Sequence, residues 1–156
     1  MHLHSPPSLI RRANTDDVEE IYLLETICFK ERRFQRDHIL WILHNPQAIT
    51  FIDKQEKTRG AVMLLIERGV CRILSLAVHP AVRLQGVGKA LMMAAENWAK
   101  KNRVTAMRLE VGTKNSGALE FYKKLGYEST GLLPHYYSWG EDAYSMKKDM
   151  ERGAKS

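Results

Sequence analysis

The stretch Leu76-Ala77-Val78-His79-Pro80-Ala81-Val82-Arg83-Leu84-Gln85-Gly86-Val87-Gly88-Lys89 decides the fold. It begins as an apolar strand and stops at His79-Pro80. It resumes as a helix from Gly86 to Lys101, whose expected inward face is Val87, Ala90, Leu91, Ala94 and Trp98. A helix start leaves backbone N–H groups without intrahelical partners and carries the positive end of the dipole. Glycines let an anion approach those groups closely, and Lys89 adds charge at the edge. The turn therefore reads as a cradle for a pyrophosphate, though the same pattern also fits an ordinary glycine-containing turn. It matches neither G-x-x-x-x-G-K-[ST] nor G-x-G-x-x-G, so a P-loop or a dinucleotide-binding fold has no support.

Working outward, Ser8 to Arg11 reads as a short first strand. Asp16-x-x-Glu19 is read as a capping box opening a helix to Cys28 along Val18, Ile21, Tyr22, Leu24 and Cys28. A second helix is expected from Gln35 to His44, stopped by Asn45-Pro46. Phe29 to Phe34 is a polar, basic loop between them. Strands follow at Ala48 to Asp53, Gly60 to Glu67 and Cys71 to Val78, the longer ones apolar enough for central positions. Met107 to Val111 is a strand, Ser116 to Leu125 a helix with Gly126 as its stop, and Tyr127 to Leu132 and Asp142 to Met150 the last strands. The order β-α-α-β-β-β-α-β-α-β-β gives helices covering a mixed sheet.

The chain has 156 residues, 44% hydrophobic and 27% charged. That suits one domain, taken as residues 8–150 with tails at 1–7 and 151–156, and excludes wholesale disorder. No apolar run approaches the roughly 20 residues needed to span a bilayer, and the start has no signal-peptide pattern. A cytoplasmic protein is expected, with no membrane partner. Lys plus Arg is 24 against 18 Asp plus Glu, a net +6 that favours anionic partners. Without a basic stripe or a recognition motif, nucleic acid is not read as the partner, and a phosphate-rich cofactor suits the same charge. The two cysteines form no C-x-x-C, and the six histidines form no H-x-x-H, so no metal is expected.

The segment from Leu76 to the helix closely resembles the acetyl-CoA-binding motif of the GCN5-related N-acetyltransferases (GNAT). Leu109-Glu110-Val111, Asn115 and Leu119-Glu120-Phe121-Tyr122-x-x-Leu125-Gly126-Tyr127 resemble that family's second core motif. Tyr136-Tyr137 and Gly140 to Met146 resemble the C-terminal signature of its protein N-terminal members, the RimI-type and NatA-type enzymes. The resemblance implies the GNAT fold: α+β in three layers, α/β/α, with a mixed, mostly antiparallel sheet of about seven strands and a splayed central pair. It implies acetyl-CoA as co-substrate. Backbone groups of Leu76, Ala77 and Val78 would hold the pantetheine arm. Arg83 and the amides of Leu84, Gln85, Gly86, Val87, Gly88 and Lys89 would hold the pyrophosphate. Asn115 would touch the arm or cap a helix. Leu84 stands where many relatives carry Gly or Arg.

The resemblance further makes Tyr122 the general acid for the leaving thiolate, and Glu110 the base. Strand alternation places Arg108 and Glu110 on the face opposite Met107, Leu109 and Val111. An aromatic packed on the sheet and a glutamate paired with Arg108 are the plain alternatives. Phe29, Glu31, Tyr136 and Tyr137 would line the acceptor site. The expected acceptor is a protein N-terminus, ribosomal proteins included. A small-amine acetyltransferase and an acetyl-CoA sensor without turnover are the alternatives.

Overall fold

The computed structural model describes residues 9–150; the expected tails and Ser8 lie outside them. Seven strands form one mixed sheet in the order β1-β2-β3-β4-β5-β7-β6. These are β1 (Ile10–Arg12), β2 (Ala48–Lys54), β3 (Thr58–Glu67), β4 (Val70–Val78), β5 (Ala106–Gly112), β6 (Glu128–Leu133) and β7 (Ala143–Asp149). The helices are α1 (Val18–Phe29), α2 (Arg36–His44), α3 (Val87–Lys101) and α4 (Ser116–Lys124). β4 pairs β5 in parallel, whereas β1–β2, β2–β3, β5–β7 and β7–β6 are antiparallel. The parallel ladder runs from Val70↔Ala106 to Arg72↔Arg108, and both strands continue past it. No described helix is long and apolar enough to cross a membrane.

The chain packs as two compact units. One is the chain up to Leu65 together with Leu74–Ala95, the other Ile66–Ile73 together with the chain from Glu96 on. In the first, Val18, Ile21 and Leu24 of α1 and Ile39 and Ile42 of α2 cluster with Ile52, Ala61 and Met63 of the sheet. Burying one such side chain contributes roughly 1.5–3 kcal/mol, so these two helices are held by their apolar stripes. In the second unit Met107, Leu109 and Val111 are buried and Arg108 is exposed, the alternation expected of a sheet with one covered face.

Two local expectations were displaced. The first helix cap is Asn14, not Asp16. The Asn14 side chain accepts from Asp16 N–H, and Asp17 Oδ2 accepts from Asn14 N–H at 2.9 Å. Arg11 draws Asp17 inward with bonds of 2.8 and 3.0 Å and holds its carboxyl below the usual range. Helix α3 buries Val87, Leu91, Met92, Ala95, Glu96 and Ala99, while Ala90 is exposed and Ala94 and Trp98 are half-buried. The face is rotated because a polar residue is drawn in: Glu96 accepts from Tyr127 Oη at 2.8 Å and from Lys148 Nζ at 2.9 Å.

Candidate active site

The first unit carries the glycine turn. His79 N–H donates to Arg59 O at 2.8 Å, and its Nδ1 accepts from Ala81 N–H at 3.0 Å, closing the strand and starting a 3-10 turn over Pro80–Val82. Arg83 Nε turns back to donate to Val78 O at 3.0 Å. Leu84 follows at φ +70° and Gly86 at φ +82°. A Cβ at Gly86 would meet nothing within 4 Å, so the backbone angle selects glycine there, not space. Gly60 of β3 is the opposite case: its Cβ would lie 2.8 Å from both Val87 and Leu91, so its bareness lets α3 seat its first turns on the sheet. The first i→i−4 bond of α3 runs from Ala90 N–H to Gly86 O at 2.9 Å. The amides of Val87, Gly88 and Lys89 therefore point beyond the helix end with the positive end of the dipole behind them, a donor set suited to a phosphate group. Leu76 and Val78 are half-buried and Ala77 is buried.

The expected acceptor wall in this unit is mixed. Phe29 packs against the apolar cluster, whereas Glu31 is exposed in a 3-10 turn over Lys30–Arg32.

The second unit carries the candidate proton-transfer groups. Glu110 of β5 has a side chain only 9% exposed. Arg72 Nε donates to Glu110 Oε1 at 3.0 Å, and Arg72 Nη2 donates to the Tyr136 hydroxyl at 2.7 Å. That hydroxyl in turn donates to Glu110 Oε1 at 3.4 Å, and Arg108 Nε lies 3.4 Å from Oε2. The Arg108 pairing expected of an ordinary sheet glutamate is thus present, but the carboxylate is nearly covered.

Tyr122 of α4 is 8% exposed, with its ring edge-on to Phe121 at 5.0 Å and to Tyr127 at 5.8 Å. Burial raises its phenol above the ordinary tyrosine value, so it holds its proton at neutral pH. No described residue hydrogen-bonds to its hydroxyl, leaving the donor unspent. Tyr127 is fixed behind it by Glu96, and Lys148 Nζ also donates to Leu125 O at 2.7 Å, closing the end of α4. Asn115 caps α4 by accepting from Ala118 N–H at 3.1 Å, which leaves its amide donors free. Tyr137 stacks on Trp139 at 4.6 Å and lies edge-on to Tyr136 at 5.0 Å; burial pushes its hydroxyl up to about 12.

Arg72, Trp139 and the buried Glu25 were not singled out from the sequence. Strand alternation offered a signal for Arg72, whose parallel partner across the ladder is Arg108. Trp139 lay two residues beyond a tyrosine pair already marked, but Glu25 sat inside an apolar stripe with no motif around it.

The Acetyltransferase (GNAT) family model matches residues 15–127. An N-alpha-acetyltransferase of Sulfurisphaera tokodaii is 29% identical over 88% of this chain and 90% of its own. A putative ribosomal protein bS18-alanine N-acetyltransferase of Bacillus subtilis is 28% identical over 88% of this chain and 92% of its own. The crystal structure of the ribosomal-protein-S18-alanine N-acetyltransferase from Escherichia coli shares the fold, with a TM-score of 0.85, 22% identity and coverage of 94% and 96% of the two chains. The family match spans most of the chain, and the chain belongs to the GNAT family as an N-acetyltransferase.

Proposed function

We propose that the chain transfers an acetyl group from acetyl-CoA to the α-amino group of protein N-termini, ribosomal proteins among the candidate acceptors. The observation that carries this reading is the bond of Tyr136 to Arg72 and Glu110, which ties an aromatic loop to a nearly covered carboxylate. A loop tyrosine so placed can lie over a peptide backbone. The relatives named for N-terminal acetylation support the same acceptor.

The free amides of Val87, Gly88 and Lys89 and the positive-φ turn at Leu84 and Gly86 fit a diphosphate, and half-buried Leu76 and Val78 on either side of buried Ala77 fit an extended amide chain. Acetyl-CoA bound there supplies an activated acyl group as a thioester. Glu110 takes a proton from the acceptor ammonium, directly or through water. The neutral amine adds to the thioester carbonyl, its nitrogen gives up a second proton to water, and the C–S bond breaks as the amide forms. Tyr122 donates its proton to the departing sulfur, and solvent restores both groups. An α-amine has a pKa of about 7.7–8.0 against about 10.4 for lysine, so a carboxylate suffices as base at neutral pH. No cysteine stands at a matched nucleophile position, so attack is direct rather than through an acyl-enzyme.

The test is mass spectrometry of an N-terminal peptide library, run beside polyamines and other free amines. Acetylation confined to peptide α-amines is expected. Acetylation of free amines with peptides untouched would overturn the acceptor assignment, and coenzyme binding without transfer to any acceptor would overturn the enzyme mechanism.

A further inference from the structure

Glu25 takes no part in the chemistry above, yet it is a carboxylate at 2% exposure in the apolar stripe of α1. Its two oxygens serve two different segments. Oε1 accepts from Phe34 N–H at 3.0 Å, and Oε2 accepts from Ser75 Oγ at 2.5 Å. Phe34 closes the loop that begins at Phe29 and contains Glu31. Ser75 immediately precedes Leu76, Ala77 and Val78. One turn further along α1, the Cys28 thiol donates to Val78 O at 3.3 Å. Two side chains three residues apart on the helix thus meet two points three residues apart on β4, bracketing Leu76 and Ala77.

A buried carboxylate is costly, and no cation among the described residues offsets it: burial pushes the Glu25 carboxyl up, opposed by those two hydrogen bonds. An apolar residue would cover the same site without that cost. What it could not do is hold the loop and the strand with one rigid group.

We propose that Glu25 is a positioning residue that fixes the Lys30–Phe34 acceptor loop and the coenzyme-binding segment of β4 relative to each other. The proposal rests on the roles given to those two segments under the proposed function. Its test compares the full-length chain with Glu25→Ala, Glu25→Gln and Ser75→Ala, measuring peptide KM, kcat and calorimetric affinity for coenzyme A. In Glu25→Ala, peptide KM should rise about tenfold and coenzyme Kd about fivefold, with kcat changed less than about threefold. Glu25→Gln should restore both, because its Oε1 still accepts from Phe34 and its Nε2 can donate to Ser75 Oγ. Ser75→Ala should weaken coenzyme binding alone.

If Glu25→Ala lowers only the melting temperature and leaves both constants within about twofold, the residue is merely structural and the proposal falls. It also falls if the glutamine variant behaves like alanine. Should Glu25→Ala fail to fold, Ser75→Ala decides, unchanged coenzyme affinity being the overturning result. A wild-type chain inert toward every peptide would defeat the acceptor reading separately, and the coenzyme arm would still judge Glu25.

Discussion

The turn from Arg83 to Lys89 and the loop from His135 to Asp142 hold their places by different means. The turn works through its backbone: its shape comes from positive φ at Leu84 and Gly86, and its donors are amides at a helix end. The loop works through side chains. Tyr136 is held by Arg72 and Glu110, Tyr137 by stacking on Trp139, and His135 N–H by Asp142 Oδ1 at 2.8 Å. A backbone device tolerates most side chains, so it suits a ligand that every family member shares. A side-chain device can be retuned one residue at a time, so it suits an acceptor that varies. Substitutions should therefore hurt the second region through chemistry and the first only through geometry.

The largest effect should come from Tyr122→Phe, which keeps the buried ring and its edge-on contacts while deleting its unspent hydroxyl. General-acid groups contribute about 10²–10⁴-fold, so kcat should fall at least about a hundredfold. Coenzyme A affinity by calorimetry should stay within about twofold, because the proposed diphosphate cradle is built from other residues, Leu84 to Lys89. Unchanged turnover would remove the acid role and leave Tyr122 as a packing residue.

Tyr136→Phe should act more weakly and on a different constant. It removes the hydroxyl that accepts from Arg72 and donates to Glu110, while Arg72 still reaches Glu110 directly at 3.0 Å. The loss of one hydrogen bond of about 1 kcal/mol corresponds to about a fivefold rise in peptide KM. Coenzyme affinity should not move. A fall in kcat with KM intact would mean that the hydroxyl serves the base rather than the peptide.

This contrast also explains which features are legible in the sequence. The succession of strands and helices along the chain, the helix spans and the Gly126 end of α4 followed from periodicity and capping chemistry, which are local. Met107, Leu109 and Val111 were placed on one face by alternation alone, and all three are buried. The α3 face was misplaced because Glu96 is held inside by Tyr127 and Lys148, 31 and 52 residues away along the chain. Asn14 displaced Asp16 as the cap because Arg11, on β1, drew in Asp17. The partners of Arg72 lie 38 and 64 residues from it, and the Ser75 partner of Glu25 lies 50 residues from it. No window on the sequence contains such pairs. The core motifs were legible because each is carried by one short run of backbone.

The smallest effect, and the sharpest check on the backbone device, is expected at Leu84. Its side chain is fully exposed at 105%, so nothing packs on it, while its φ of +70° is one that a leucine adopts at a cost of roughly 1–2 kcal/mol. Leu84→Gly relieves that strain but adds about 0.5–1 kcal/mol of chain entropy on folding, so the two nearly cancel. With about 2–4 °C per kcal/mol for a chain of this size, the melting temperature should move by no more than a few degrees. Coenzyme affinity should be unchanged, since an amide remains at the same place. Leu84→Pro is the matched opposite: it removes that amide and cannot reach positive φ, so coenzyme Kd should rise about tenfold or more. If glycine weakens binding as much as proline does, the leucine side chain itself meets the coenzyme, and this turn recognises its ligand as the tyrosine loop does.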